Sequence, residues 1–261
     1  LVGASDSASA LEEKAAYQRY MIQTGKRVAE MHIALASRND IADFRPEPVT
    51  ASDVAHLIDR LMARAEKTFE RLAQARLPES DQRLAEQLLN FRRSLRDRLT
   101  ELLPPSIQMY NIRHHGDFHL GQILVVRDDI FVIDFEGEPR RSLPERRMKA
   151  PAARDVAGLI RSIDYSVTSA QERALKTATD DDGRLAEALS TWRDEATQTF
   201  LTAYRDAMSD LRLWPQDDDH ADRTLRFFLL EKAFYEIDYE LAHRPDWLRV
   251  ALGGAPRVLR K

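Results

Sequence analysis

The sequence contains no cysteine. Disulfides, thiolate zinc sites and cysteine nucleophiles are therefore excluded, and the composition fits a reducing, cytoplasmic setting. Glycine is scarce, nine in 261 residues, and none stands in a G-x-G-x-x-G or G-x-x-x-x-G-K-[ST] phosphate loop. No apolar run approaches the roughly 18 residues that span a bilayer, and no stretch reads as a signal peptide. Neither sign of charge dominates: 39 Lys and Arg against 43 Asp and Glu leave −4. No basic stripe argues for nucleic acid, although Arg140, Arg141, Arg146, Arg147 and Lys149 form a local basic run.

Apolar residues make up 43% of the chain, which excludes a mainly disordered protein. The length allows one large domain or two small ones. The polar opening, residues 1–10, reads as linker, and 11–261 as a mostly helical α+β lobe. Apolar spacings of three and four predict a helix from Leu11 to Ala36, weakened at Gly25. Asn39–Thr50 reads as loop, and Thr50 or Ser52 caps a long helix carrying Val54 to Leu72. After Leu77-Pro78 a second long helix runs to Pro104-Pro105, giving an antiparallel helical hairpin. Further helices are predicted from Asp155 to Ala170, Arg184 to Leu211 and His220 to His243, with a turn at Asp180–Gly183. Pro245 stops the last.

The chemistry gathers in Asn111–Pro139. Three histidines and an aspartate fall within His114–His119. Two β-branched runs, Ile123–Val126 and Ile130–Phe135, flank Arg127-Asp128-Asp129 and predict a strand hairpin. The second run ends on Asp134 and Glu136. Two enzymatic readings follow. In one, His115, Asp117, His119 and Asp134 are metal ligands of a hydrolase. In the other, Asp117 is a general base beside a separate magnesium site, with Gln122 and Asp134 as hard oxygen donors. The order H-x-D, four residues, an amide, then a hairpin ending Asp134-Phe135-Glu136 favours the second.

The run HHGDFHLGQILVVRDDIFVIDFEGEPRRSLPERR resembles bacterial maltokinases, in the aminoglycoside-phosphotransferase-like branch of the kinase fold. The resemblance continues through Arg154–Tyr165, Glu231–Leu241 and Arg244–Leu248. It implies the C-terminal lobe of a kinase-like enzyme, with the hairpin of 111–139 at its centre and the N-terminal nucleotide lobe outside this chain. It further implies Asp117 as the base, His115 as support for its loop, and Gln122 and Asp134 as magnesium ligands, with Glu136 as a further one. The reaction implied is transfer of the ATP γ-phosphoryl group to the anomeric hydroxyl of maltose, or a related α-glucoside. Such proteins occur alone or fused behind trehalose synthase. The missing initiator methionine and phosphate loop carry the same expectation of a longer parent, without which the isolated lobe has little activity.

On the last helix Lys232, Tyr235, Glu236, Tyr239 and His243 fall opposite an apolar face of Leu230, Ala233, Phe234, Ile237 and Leu241. Rings beside hydrogen-bonding groups suit a sugar, but spacing alone favours an ordinary wet helix face. The resemblance implies instead that Lys232, Tyr235, Glu236 and Tyr239 are substrate contacts, with Trp247 either a further contact or a local core anchor. Arg154-Asp155 reads as a helix start, and His32 carries no expected chemistry. A non-catalytic glucan-binding lobe attached to trehalose synthase is the remaining alternative.

Overall fold

The computed structural model describes residues 2–127, 129–177, 184–210, 212–215 and 217–259. The turn expected at Asp180–Gly183 lies outside them. The described chain is mostly helical, with two small antiparallel strand pairs.

The first helix, α1 (Val2–Leu35), includes the stretch expected as linker and passes Gly25 without a break. Gly25 has a packing reason: a Cβ there would stand 2.6 Å from the Phe200 carbonyl oxygen. Phe200 belongs to α7 (Arg184–Ala207), and the missing side chain lets the two helices run close together. Between them come β1 (Glu47–Pro48) and α2 (Ala51–Gln74). Thr50 caps α2 with a reciprocal box: its hydroxyl accepts from Asp53 N at 3.2 Å, and Asp53 Oδ2 accepts from Thr50 N at 2.8 Å.

The second expected long helix is broken into α3 (Glu79–Leu89) and α4 (Leu95–Leu102) by a turn beginning at Asn90. The break lets α3 pack on the last helix of the chain while α4 lies against α2. A simple helical hairpin does not form.

After β2 (Tyr110–Asn111) come a 3₁₀ turn at Leu120–Gln122 and the hairpin of β3 (Ile123–Val126) and β4 (Asp129–Val132), paired Ile123 to Val132 and Val126 to Asp129. The second strand is shorter than expected and leaves Asp134 in irregular backbone. The basic segment then forms one short helix, α5 (Leu143–Arg147), boxed by Ser142 and Glu145.

The buried faces of α6 (Ala153–Thr177) and α8 (Asp218–His243) build much of the core. Val156, Leu159 and Ile163 of α6 and Phe227, Leu230, Phe234 and Ile237 of α8 are fully buried. α8 touches α2, α4, α6 and the terminal helix α9 (Leu248–Leu259), so it is the hub of the lobe. Periodicity predicts no helix after Pro245, because Gly253-Gly254 and Pro256 are poor helix formers. Burial of Leu248, Ala251, Leu252 and Ala255 against the hub outweighs that preference. Among the described residues no helix is long and apolar enough to cross a membrane.

Candidate active site

The loop of His114–His119 is held from below by α6. Asp155 is 2% exposed, and its two oxygens accept from His115 N at 2.7 Å and Gly116 N at 3.0 Å. His32 Nε2 lies 3.2 Å from the same carboxylate, and His32 Nδ1 lies 2.9 Å from the Tyr204 hydroxyl. Burial pushes the Asp155 carboxyl up, but His32, His114 and the Gly116 amide more than offset this and hold it below the usual carboxylate range. A buried carboxylate is stable only with such partners. Gly158, one turn along α6, admits the loop, since a Cβ there would lie 2.5 Å from the Phe118 carbonyl oxygen.

His115 spans the loop and the hairpin. Its Nε2 is 2.8 Å from the Ile133 carbonyl oxygen, so it carries the proton, and its Nδ1 accepts from Asp117 N at 3.3 Å. The ring packs between Phe118 and Phe135. Asp117 is thereby aimed outward on a backbone fixed at both ends. Its carboxyl is partly buried, and burial holds its pKa above the usual range against the opposing pull of Lys232. A raised carboxylate is better matched to taking a proton near neutral pH.

Gln122 is buried, and its amide atom placed as nitrogen lies 3.3 Å from both His119 Nε2 and Asp134 Oδ2. His119 Nδ1 accepts from Gly121 N at 3.0 Å, so the neutral ring is protonated on Nε2. That proton needs an acceptor, which places the amide oxygen, after a half-turn, beside His119 and Asp134. Two oxygens then face each other, an arrangement suited to a hard cation such as magnesium. Asp134 sits at φ +63°, a left-handed conformation uncommon outside glycine and concentrated at functional sites. Glu136 follows, exposed, on the same segment. The residues fit a magnesium site.

The hydrolase cluster does not assemble. Both ring nitrogens of His115 are engaged within the loop and hairpin, and His119 Nδ1 holds Gly121. Among the described residues no three His, Asp or Glu side chains converge as metal ligands.

A narrow cleft of about 40 Å³ opens beside Asp117, lined by Glu138, Arg64, Arg141, Glu231, Lys232 and Tyr235, among others. Of the expected sugar contacts, Lys232 and Tyr235 line it. Tyr239 lies next along α8, stacked at 6.5 Å on Tyr235 and covered by Arg140 at 4.2 Å. Glu236 turns away: it is 8% exposed, and Arg161 Nε donates to it at 2.8 Å. Trp247 stacks on Tyr165, 6.1 Å between ring centres. An angular face drawn on a helix wheel cannot tell a wet surface from one covered by α6, and Glu236 falls on that margin. Glu138, Glu231, Arg64 and the Asp155 clasp were not foreseen. Arg141 stood out in sequence only as part of the basic run of Arg140 to Lys149, and the Arg154-Asp155 pair looked like an ordinary helix start.

A carboxylate on a clasped loop, an amide and a second carboxylate at either end of a hairpin, and a cleft against α8 together give a kinase-like lobe. A model of the phosphotransferase enzyme family matches residues 8–188, and the chain belongs to that family. It is 31% identical over 232 residues to a glucosamine kinase of Streptacidiphilus jiangxiensis, covering 87% of this chain and 46% of that protein. A glucosamine kinase of Mycolicibacterium smegmatis is 32% identical over 146 residues, 56% of this chain and 34% of that protein. A solved glucosamine kinase superposes with TM-score 0.73 at 29% identity, over 92% of this chain and 52% of that one. A second, in complex with glucosamine, ADP and inorganic phosphate, gives TM-score 0.72 at 28% identity, over 92% and 54%. The chain thus spans about half the length of these relatives or less.

Proposed function

We propose that this chain is the catalytic and sugar-binding lobe of an ATP-dependent sugar kinase in which Asp117 is the general base. The supporting observation is the position of Asp117, on a loop clasped by Asp155 and in the wall of a cleft that also presents Lys232 and Tyr235. The acceptor hydroxyl lies within about 2.6–3.2 Å of the Asp117 carboxylate, which takes its proton. The hydroxyl oxygen bonds to the γ-phosphorus of ATP, the bond to the β–γ bridging oxygen breaks, and ADP leaves. Gln122 and Asp134 hold Mg2+, with Glu136 as a further ligand. When bound, the ion neutralises charge on the transferred phosphoryl group. Lys232 and Tyr235 orient the sugar by hydrogen bonding and ring contact, and Tyr239 and Trp247 extend that surface.

For the acceptor we take maltose, phosphorylated at its anomeric hydroxyl, on the strength of the long motif through Asn111–Pro139. Glucosamine, for which the relatives are named, is the alternative. The nucleotide lobe lies in a longer parent protein, which acts in the cytoplasm and carries trehalose synthase as a fused or associated partner. The hairpin supports a covering lobe. Leu124, Val126 and Phe131 share one face and are 47%, 47% and 54% exposed, with Phe135 beyond them at 44%. An apolar patch of this kind marks a contact surface.

The test is phosphorylation by the parent protein with ATP and either maltose or glucosamine. Asp117→Asn lowers kcat by about 10²- to 10⁴-fold, the usual worth of a positioned base. The isolated lobe shows little or no turnover. Parent activity unchanged by Asp117→Asn would overturn the assignment, and a preference for glucosamine would replace maltose as acceptor.

A further inference from the structure

The cleft is lined by charges of both signs. The charged groups that act most strongly on Asp117 are Lys232, Glu138, His119 and His115. Those that act most strongly on Glu231 are Arg154, Arg141, Arg60 and Arg64. Around Glu231, therefore, several guanidiniums face one carboxylate. Arg154 takes that carboxylate, Nη2 to Oε1 at 2.9 Å. Asp155 is already committed to the loop amides and His32, and Glu138 acts on the neighbouring Tyr235 hydroxyl, whose pKa burial chiefly raises.

Arg141 and Arg64 are left over. Both line the cleft, and neither forms a salt bridge with a described residue. Arg64 rests over the Tyr235 ring, 5.2 Å from its centre. Arg141 is largely covered; burial, Arg154 and Arg64 disfavour its charge, and the pull of Glu231 and Glu138 does not fully offset them. A covered guanidinium crowded by others is costly unless an anion meets it. Planar forks of this kind match tetrahedral oxyanions.

We propose that Arg64 and Arg141, backed by the Arg154–Glu231 pair, form an oxyanion subsite in the cleft that takes a phosphate-class anion. On the acceptor-cleft reading above, on which only this consequence rests, a sugar phosphate or free phosphate bound there competes with the incoming sugar. The subsite itself needs neither nucleotide nor turnover.

Inorganic phosphate titrated calorimetrically into this chain, against chloride at matched ionic strength, tests it directly. The expected result is saturable one-to-one binding beyond the chloride baseline. Arg141→Gln weakens it at least about tenfold, as loss of one charge-assisted contact implies. Arg141→Lys retains part of it, and Arg38→Gln, which removes an exposed guanidinium paired with Asp40, leaves it unchanged. Should Arg141→Gln fail to fold, Arg64→Gln serves the same purpose. Absence of saturable binding, binding unaffected by either cleft substitution, or equal loss in Arg38→Gln would overturn the subsite. Failure of the kinase assay with phosphate binding intact would overturn the sugar-kinase reading and leave the subsite standing.

Discussion

The loop that carries Asp117 and the hairpin that carries Asp134 are neighbours in sequence but are held in opposite ways. The loop rests on buried groups, with Asp155, His32, His114 and His115 all at most 6% exposed. The hairpin turns Ile130 inward but projects Leu124, Val126 and Phe131 outward, and its tether is at the surface. There Arg27 donates to Asp129 at 2.9 and 2.6 Å and Gln23 donates to it at 2.7 Å. The lobe therefore fixes the proposed base by its own core, whereas the proposed metal residues flank a strand pair with one uncovered face. Positioning the base is a matter of this chain's folding, and positioning the metal depends also on what meets the hairpin.

The sharpest way to break that contrast is Asp155→Ala. It leaves two backbone amides and His32 without their partner and costs about 3–5 kcal/mol, the range for removing one member of a buried polar pair. Urea unfolding measures this, and a loss near zero would mean that the loop is not fixed from below.

His114 gives the next largest effect. It is buried, its Nδ1 has no partner among the described residues, and burial holds its pKa down to about 4 from an ordinary 6.5. The unfolded chain binds this proton first, so the His114 contribution is full above about pH 6.5 and is lost progressively as pH falls to about 4. At about 1.4 kcal/mol per pH unit the loss reaches roughly 3 kcal/mol. In His114→Asn the unfolding free energy falls less steeply over that window, and parallel curves for the two proteins would contradict the assignment.

On the hairpin the expected effects are local. Asp129→Asn speeds amide hydrogen exchange in Ile123–Val132 and leaves exchange in α6 and α8 unchanged, whereas a uniform change would show the hairpin to be part of the core. The smallest effect on this chain is Phe131→Ser. As a substitution on an exposed face it stays within about 0.5 kcal/mol in the isolated lobe. In the parent protein it weakens nucleotide binding. Equal indifference in both would mean that nothing covers this face.

Much of the candidate site was legible because its residues are close in sequence. His115, Asp117, Gln122 and Asp134 fall within 20 consecutive residues, and the two β-branched runs around a polar turn are a hairpin in any context. The helices of 51–74, 153–177, 184–207 and 218–243 were visible for the same reason, apolar side chains at helical spacing. What was misread depended on neighbours far along the chain. Gly25 looks like a weak point until Phe200 is placed against it, 175 residues later. Glu236 looks like a sugar contact until Arg161 is found beside it, and Asp155 looks like a helix start until the loop amides reach it.

The sequence by itself determined the order of the chemistry: the proposed base, then the amide, then the carboxylate, each set by covalent spacing and turn preference. Tertiary structure alone decided which groups are free to act. Burial and ion pairing are settled by residues tens to hundreds of positions away. They divert Glu236 into the core and draw Asp155 under the loop, while Arg64 and Arg141 are left in the cleft without a salt bridge to a described residue. That division follows from the range of the forces. Spacing and backbone preference act over a few residues, whereas desolvation and charge pairing answer only to distance in the folded chain.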